Sequence, residues 1–77
     1  MPAGLSDREA RALQLLSEQN DRRLSAAQLA QHLGAPARRV EGMMAELIQK
    51  LNALGKPWVT ASHGTQGTEY ELRGGLE

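Results

Sequence analysis

Between Ser6 and Gln19 the apolar residues Ala12, Leu13, Leu15 and Leu16 gather on one stripe, with Arg8, Arg11 and Glu18 left for water. That is the pattern of an amphipathic helix. Ser6 followed by Glu9 is a capping box, and Leu5 and Ala10 occupy the staple positions around it. Asn20-Asp21 breaks the pattern, and Arg22 to Leu24 reads as a short extended link, long enough to pair as one edge of a small sheet. A second capping box, Ser25 with Gln28, opens a helix over about Ala26 to Leu33 that buries Leu29, Leu33 and Ala30. Gly34 stands where a left-handed residue ends that helix, and Pro36 suits the first turn of the next.

The third helix is predicted from near Ala37 to about Ala53. Val40, Met44, Leu47, Leu51 and Leu54 are spaced alternately four and three apart, which predicts one continuous buried face. Gly55 supplies the stop. The period then changes from helical to alternating. Trp58 to Ala61 carries β-forming residues, and Thr68 to Leu72 alternates outward charge with inward bulk. The turn-rich residues between them make a β-hairpin with its tip around His63 to Gly67. Trp58 and Tyr70, the only aromatic residues, are expected to pair across it and anchor it on the third helix.

Leu24 to Leu47 is thus a short capped helix, a tight turn and a longer helix, the form of a helix-turn-helix. Such a unit can present its second helix to a DNA major groove. By element order, Ser6 to Leu72 resembles the winged-helix superfamily, with QLAQHLGAP leading into ARRVEGMM as the most specific stretch. The expected fold class is α+β: a winged helix-turn-helix of three helices followed by a two-stranded β-hairpin wing. The segment RVEGMMAELIQKLNALGKPWV is also similar to the C-terminal end of PglZ-type proteins of bacterial phage-defence systems, and departs from them at Lys56 and over Thr68 to Leu72. The superfamily resemblance implies DNA contacts at the start of the third helix and on the wing. Many members of the superfamily dock proteins instead.

Seventy-seven residues suffice for one small domain, with a flexible leader over 1–5, the domain over 6–73 and a tail over 74–77. A chain of this size buries only about 60% of its unfolded surface, which leaves no room for an enclosed catalytic cavity beside a core. There is no cysteine, so disulfides and thiolate metal sites are excluded. No apolar run approaches the roughly 20 residues of a membrane span, and no signal-peptide pattern opens the chain, so a cytoplasmic protein is expected. Leu76-Glu77 matches the pair that a cloning site leaves ahead of a purification tag; on that reading the native stretch is slightly basic and belongs to a longer bacterial protein.

Nine basic and nine acidic residues cancel. This weighs against a strong nucleic-acid binder, because phosphate contacts supply most nonspecific affinity. Arg38 and Arg39 nevertheless stand in the first turn of the third helix, where an arginine can donate two hydrogen bonds to guanine O6 and N7 or pair with a phosphate. Without a partner, positive charge at a helix start opposes the dipole. Glu41 can pair with Arg38, and Glu46 with Lys50. Gly42 lies mid-helix, where it costs about 1 kcal/mol relative to alanine; close packing of another helix or of a phosphate backbone would account for it, and the helix contact is the plainer explanation.

Met43 cannot share the core stripe with adjacent Met44; it either pads the core edge or offers an adaptable contact. On the wing, Thr65, Gln66 and Thr68 can donate to phosphates, His63 is the sole potential cation near the tip, and Lys56 at the hairpin base can add a contact. Arg22 and Arg23 can add charge from the first loop. The candidate DNA-binding residues are therefore Arg38, Arg39, Met43, Lys56, Thr65 and Gln66. His32 and His63 have neither metal-ligand spacing nor a carboxylate cluster, and Ser25 and Ser62 have no evident nucleophile partner. The expectation is a non-enzymatic DNA-binding module of the kind used in transcription regulation, with no cofactor and no metal. The alternative is a protein-interaction or dimerisation module on the same fold.

Overall fold

In a computed structural model that describes residues 4–65 and 67–74, both capping boxes form. Ser6 Oγ accepts from the Glu9 N–H at 3.2 Å while Glu9 Oε1 accepts from the Ser6 N–H at 2.8 Å, opening α1 (Asp7–Glu18). Ser25 and Gln28 make the same reciprocal pair at 3.1 and 2.9 Å, opening α2 (Ala26–Leu33). Each box satisfies two backbone donors that a helix start leaves open. Leu5, one residue before the cap and within the expected leader, is half-buried against the core. Of the leader and tail, residues 1–3 and 75–77 lie outside the described residues.

Gly34 ends α2 in the left-handed conformation (φ 66°, ψ 33°), which an L side chain adopts only with strain. Pro36 falls one position earlier than expected. It is the residue before α3 (Ala37–Ala53), with extended backbone, and its carbonyl accepts from Val40 N–H at 3.1 Å. Gly55, at φ 74°, follows the helix end. The face of α3 is cut short at this point. Val40, Met44, Leu47 and Leu51 are buried, whereas Leu54 is 50% exposed, because the helix stops at Ala53 and the stripe ends with it.

The sheet has three strands rather than the two of the hairpin alone. β1 (Arg23–Ser25), β2 (Val59–Gly64) and β3 (Gly67–Leu72) are antiparallel in the order β1-β3-β2. The extended link after α1 supplies the added edge, with Leu24 opposite Tyr70. Arg22 turns the chain into it with φ 56°, an unusual value for a residue with a Cβ, and is held there from both sides. Asp21 Oδ1 accepts from Arg23 N–H at 3.1 Å, and Arg22 carbonyl accepts from Leu72 N–H at 2.9 Å. Along β3, Thr68, Tyr70 and Leu72 point inward and are buried, and Glu69 and Glu71 point outward. The core lies between this inner sheet face and the three helices, built from leucines of all three with Val40, Met44, Val59 and Tyr70.

Three expected contacts resolve differently. Tyr70 faces Ala61 across the hairpin, not Trp58. Trp58 precedes β2, where its carbonyl accepts from Arg73 N–H at 2.6 Å and Gly74 lies so close over the ring that a methyl there would collide with it. Gly42 faces open space, with nothing within 4 Å of where a Cβ would stand, so no helix packs on it. Lys50 turns away from Glu46 and meets Glu9 of α1 at 2.8 Å. The result is a small α+β domain of three helices and a three-stranded antiparallel sheet, an element order compatible with a winged helix.

Candidate nucleic-acid interface

The start of α3 is uncapped. Pro36 offers no side-chain acceptor, so the first N–H groups of a 17-residue helix point outward at its positive dipole end. Arg38 and Arg39 are exposed in that first turn, and among the described residues neither takes part in an ion pair. Spaced four, then three, then four residues along α3, Arg38, Gly42, Ala45 and Gln49 share one exposed face. Between Arg38 and Gln49 that row carries only a hydrogen and a methyl group, with exposed Glu41 and Glu46 on its flanks.

Glu41 does not pair with Arg38. It accepts a hydrogen bond from Thr68 Oγ1 of β3 at 2.9 Å, and His63 Nδ1 of β2 lies 3.4 Å from the same hydroxyl. A hydroxyl has one proton, so with Glu41 accepting it the His63 ring must donate from Nδ1 to close the network. Thr68 is consequently buried and occupied, and is not available to a phosphate. What the contact does is positional. It sets the tip end of the hairpin, with exposed His63, Gly64 and Thr65, beside the first two turns of α3. Tyr70, next along the inner face of β3, has its phenol pKa raised above 10.0 by burial and by the charge of Glu41.

Lys56 stands at the opposite end. Its N–H donates to Leu51 carbonyl at 2.8 Å, and its ammonium lies 5.3 Å from the centre of the Trp58 ring. At 1.5 Å per residue the 17-residue α3 is about 26 Å long, so Lys56 is separated from Arg38 and Arg39 by most of the helix. Arg23 pairs with Glu71 at 3.3 Å, and Arg73 approaches the same carboxylate at 3.9 Å. Arg23, paired with Glu71, and Lys56, at the far end of α3, therefore do not join Arg38 and Arg39 in one basic face. On the outer sheet surface Arg23 and Arg73 offset Glu71, and Glu69 stands beside the hairpin tip: a Cβ at Gly64 would sit 3.0 Å from Glu69 Oε1. Thr65 is exposed at the tip, and Gln66 lies outside the described residues.

Met43 is half-buried against the core and turned from the Arg38–Gly42 face. It lines a small cleft shared with Leu33, Ala35, Val40, Arg39 and, from α1, Arg8. Arg8 went unrecognised in the sequence. Nothing local announces its place; it comes beside Arg39 because α1 crosses α3, a crossing anchored by Glu9 and Lys50. Glu9 is 1% exposed. Burial pushes its pKa up, but the Lys50 ammonium and the Ser6 N–H outweigh that, and the carboxyl stays below its ordinary 4.5. Among the described residues its Oε2 has no hydrogen-bond partner.

Comparison with protein-family models, with curated proteins and with solved structures finds no match to this chain. No helix among the described residues is long and apolar enough to cross a membrane.

Proposed function

We propose that the domain is a winged helix-turn-helix that binds double-stranded DNA, with α3 as recognition helix and the β2–β3 hairpin as wing. The observation that carries this reading is the Thr68–Glu41 hydrogen bond, which holds the hairpin tip beside the uncapped, arginine-bearing start of α3. Two elements that a duplex meets at once are thereby held in one rigid unit. Arg38 and Arg39 donate to guanine edges or phosphates, and the free N–H groups of the helix start favour a phosphate oxygen. Gly42 and Ala45 let the backbone of α3 approach the groove without steric conflict. Thr65 and Gln66 supply neutral donors to the phosphates of the flanking strand.

Binding is modest and tolerant of sequence. Net charge is zero, so phosphate contacts are few and the affinity they supply is small. The domain recruits rather than reacts, in the cytoplasm and as part of a larger bacterial protein, with no cofactor. An amide-shift titration with a short mixed-sequence duplex at about 50 mM and then about 200 mM salt tests this. Shifts confined to Ala37–Ala45 and the tip, weakening with salt, are the expected result. An unchanged spectrum at low salt and millimolar duplex would remove DNA as the ligand.

A further inference from the structure

The cleft between the start of α1 and the start of α3 shares Arg39 with the proposed DNA surface but opens toward α1 and α2. Leu33, Ala35, Val40 and Met43 form its wall, which is mostly apolar carbon, and Arg8 and Arg39 stand at its rim. Its volume is about 80 Å³. Pockets that enclose a whole small molecule run to about 300–1,000 Å³, so this one suits a single aliphatic side chain carried on something larger. Met43 adds an adaptable thioether to the wall.

The rim selects the charge of the occupant. Among the described residues neither Arg8 nor Arg39 is in an ion pair, and no acidic side chain lines the cleft. Each arginine is in the first turn of its helix, and the uncapped positive end of α3 adds to the two guanidinium groups. The complement of an apolar slot between two cations is an aliphatic side chain between two carboxylates. We propose that this cleft docks an acidic segment of a partner protein, with a leucine-sized anchor against Leu33 and Met43 and carboxylates on Arg8 and Arg39. Arginine–carboxylate hydrogen bonds at such a rim are charge-assisted and directional, so they fix the segment while the anchor excludes water. The inference does not depend on DNA binding.

The test is a methyl and amide NMR titration of the intact protein with a capped pentapeptide, leucine between two pairs of aspartates. A matched peptide with serine in place of leucine is the control. Saturable shifts of the Leu33, Val40 and Met43 methyls with the leucine peptide alone are expected. Arg8→Glu and Arg39→Glu should each weaken binding about tenfold or more. Both substitutions place an acid at a helix start, which favours the helix, so unchanged thermal melting will show that lost binding is not lost fold. Absence of methyl shifts at millimolar peptide, or an equal response to the serine peptide, would overturn the docking site. Because the start of α3 belongs to both surfaces, the duplex titration is read at the hairpin tip and the peptide titration at the Leu33 methyls and the Arg8 amide, so failure of either is seen separately.

Discussion

Thr68 Oγ1 donates to Glu41 Oε1 at 2.9 Å across 27 residues of chain, and this bond joins the sheet to the outer side of α3 near its start. Thr68→Val keeps the shape of the side chain and removes the donor. Glu41 is exposed and can turn to water, so the loss is that of one net hydrogen bond, about 1 kcal/mol. Urea denaturation should show that decrease, and amide exchange should accelerate at the hairpin tip while α1 and α2 stay protected. Unchanged exchange at the tip would mean that the hairpin is held by the core residues of β3 alone.

Glu9 ties stability to pH. Its folded-state pKa lies below the ordinary 4.5, so the ion pair with Lys50 contributes stability that is present above that value and is lost as pH falls through the lowered one. Thermal melts should therefore drop through the acid range below pH 4.5, and Glu9→Gln should flatten that limb. Lys50→Met removes the largest opposing influence and leaves burial opposed only by the Ser6 hydrogen bonds, so the Glu9 pKa should rise from its lowered value, observable by carboxyl-carbon NMR. Lys50 is partly exposed, so the cost at neutral pH stays near the low end of a broken buried pair, about 1–3 kcal/mol.

Gly42 separates stability from binding. Its surroundings are open and its position is mid-helix, so Gly42→Ala should stabilise the domain by about 1 kcal/mol. The same methyl stands on the face proposed to meet the groove. Under the DNA reading the variant melts higher and binds duplex more weakly. A stabilised variant with unchanged duplex affinity would place the contact surface elsewhere.

The two ends of α3 make unequal contributions in the same reading. Arg38→Ala and Arg39→Ala should each weaken duplex binding, and each lost phosphate contact should lower the salt dependence by about 0.9 in log–log slope. Lys56→Ala should leave both unchanged, because its ammonium sits on Trp58 at the far end of the helix. Fluorescence anisotropy at several salt concentrations measures all three. A loss at Lys56 equal to that at Arg39 would require a duplex lying along the whole of α3.

What the sequence determined by itself is local. The helix starts at Ser6 and Ser25, the left-handed stops at Gly34 and Gly55, and the alternation from Thr68 to Leu72 all rest on interactions between residues a few positions apart, which composition and spacing specify directly. The tertiary structure decided which distant partner each polar group takes. Glu41 has Arg38 within a turn and yet bonds Thr68; Lys50 has Glu46 within a turn and yet reaches Glu9. At helical spacing an exposed ion pair is worth only a few tenths of a kcal/mol, so a partner brought in by packing readily displaces it. The same applies to Leu54, left exposed when α3 ends, and to Arg8, set beside Arg39 by the crossing of α1 over α3. Local propensity shapes the elements, but only the burial of the common core decides how they cross, and the candidate sites lie at those crossings.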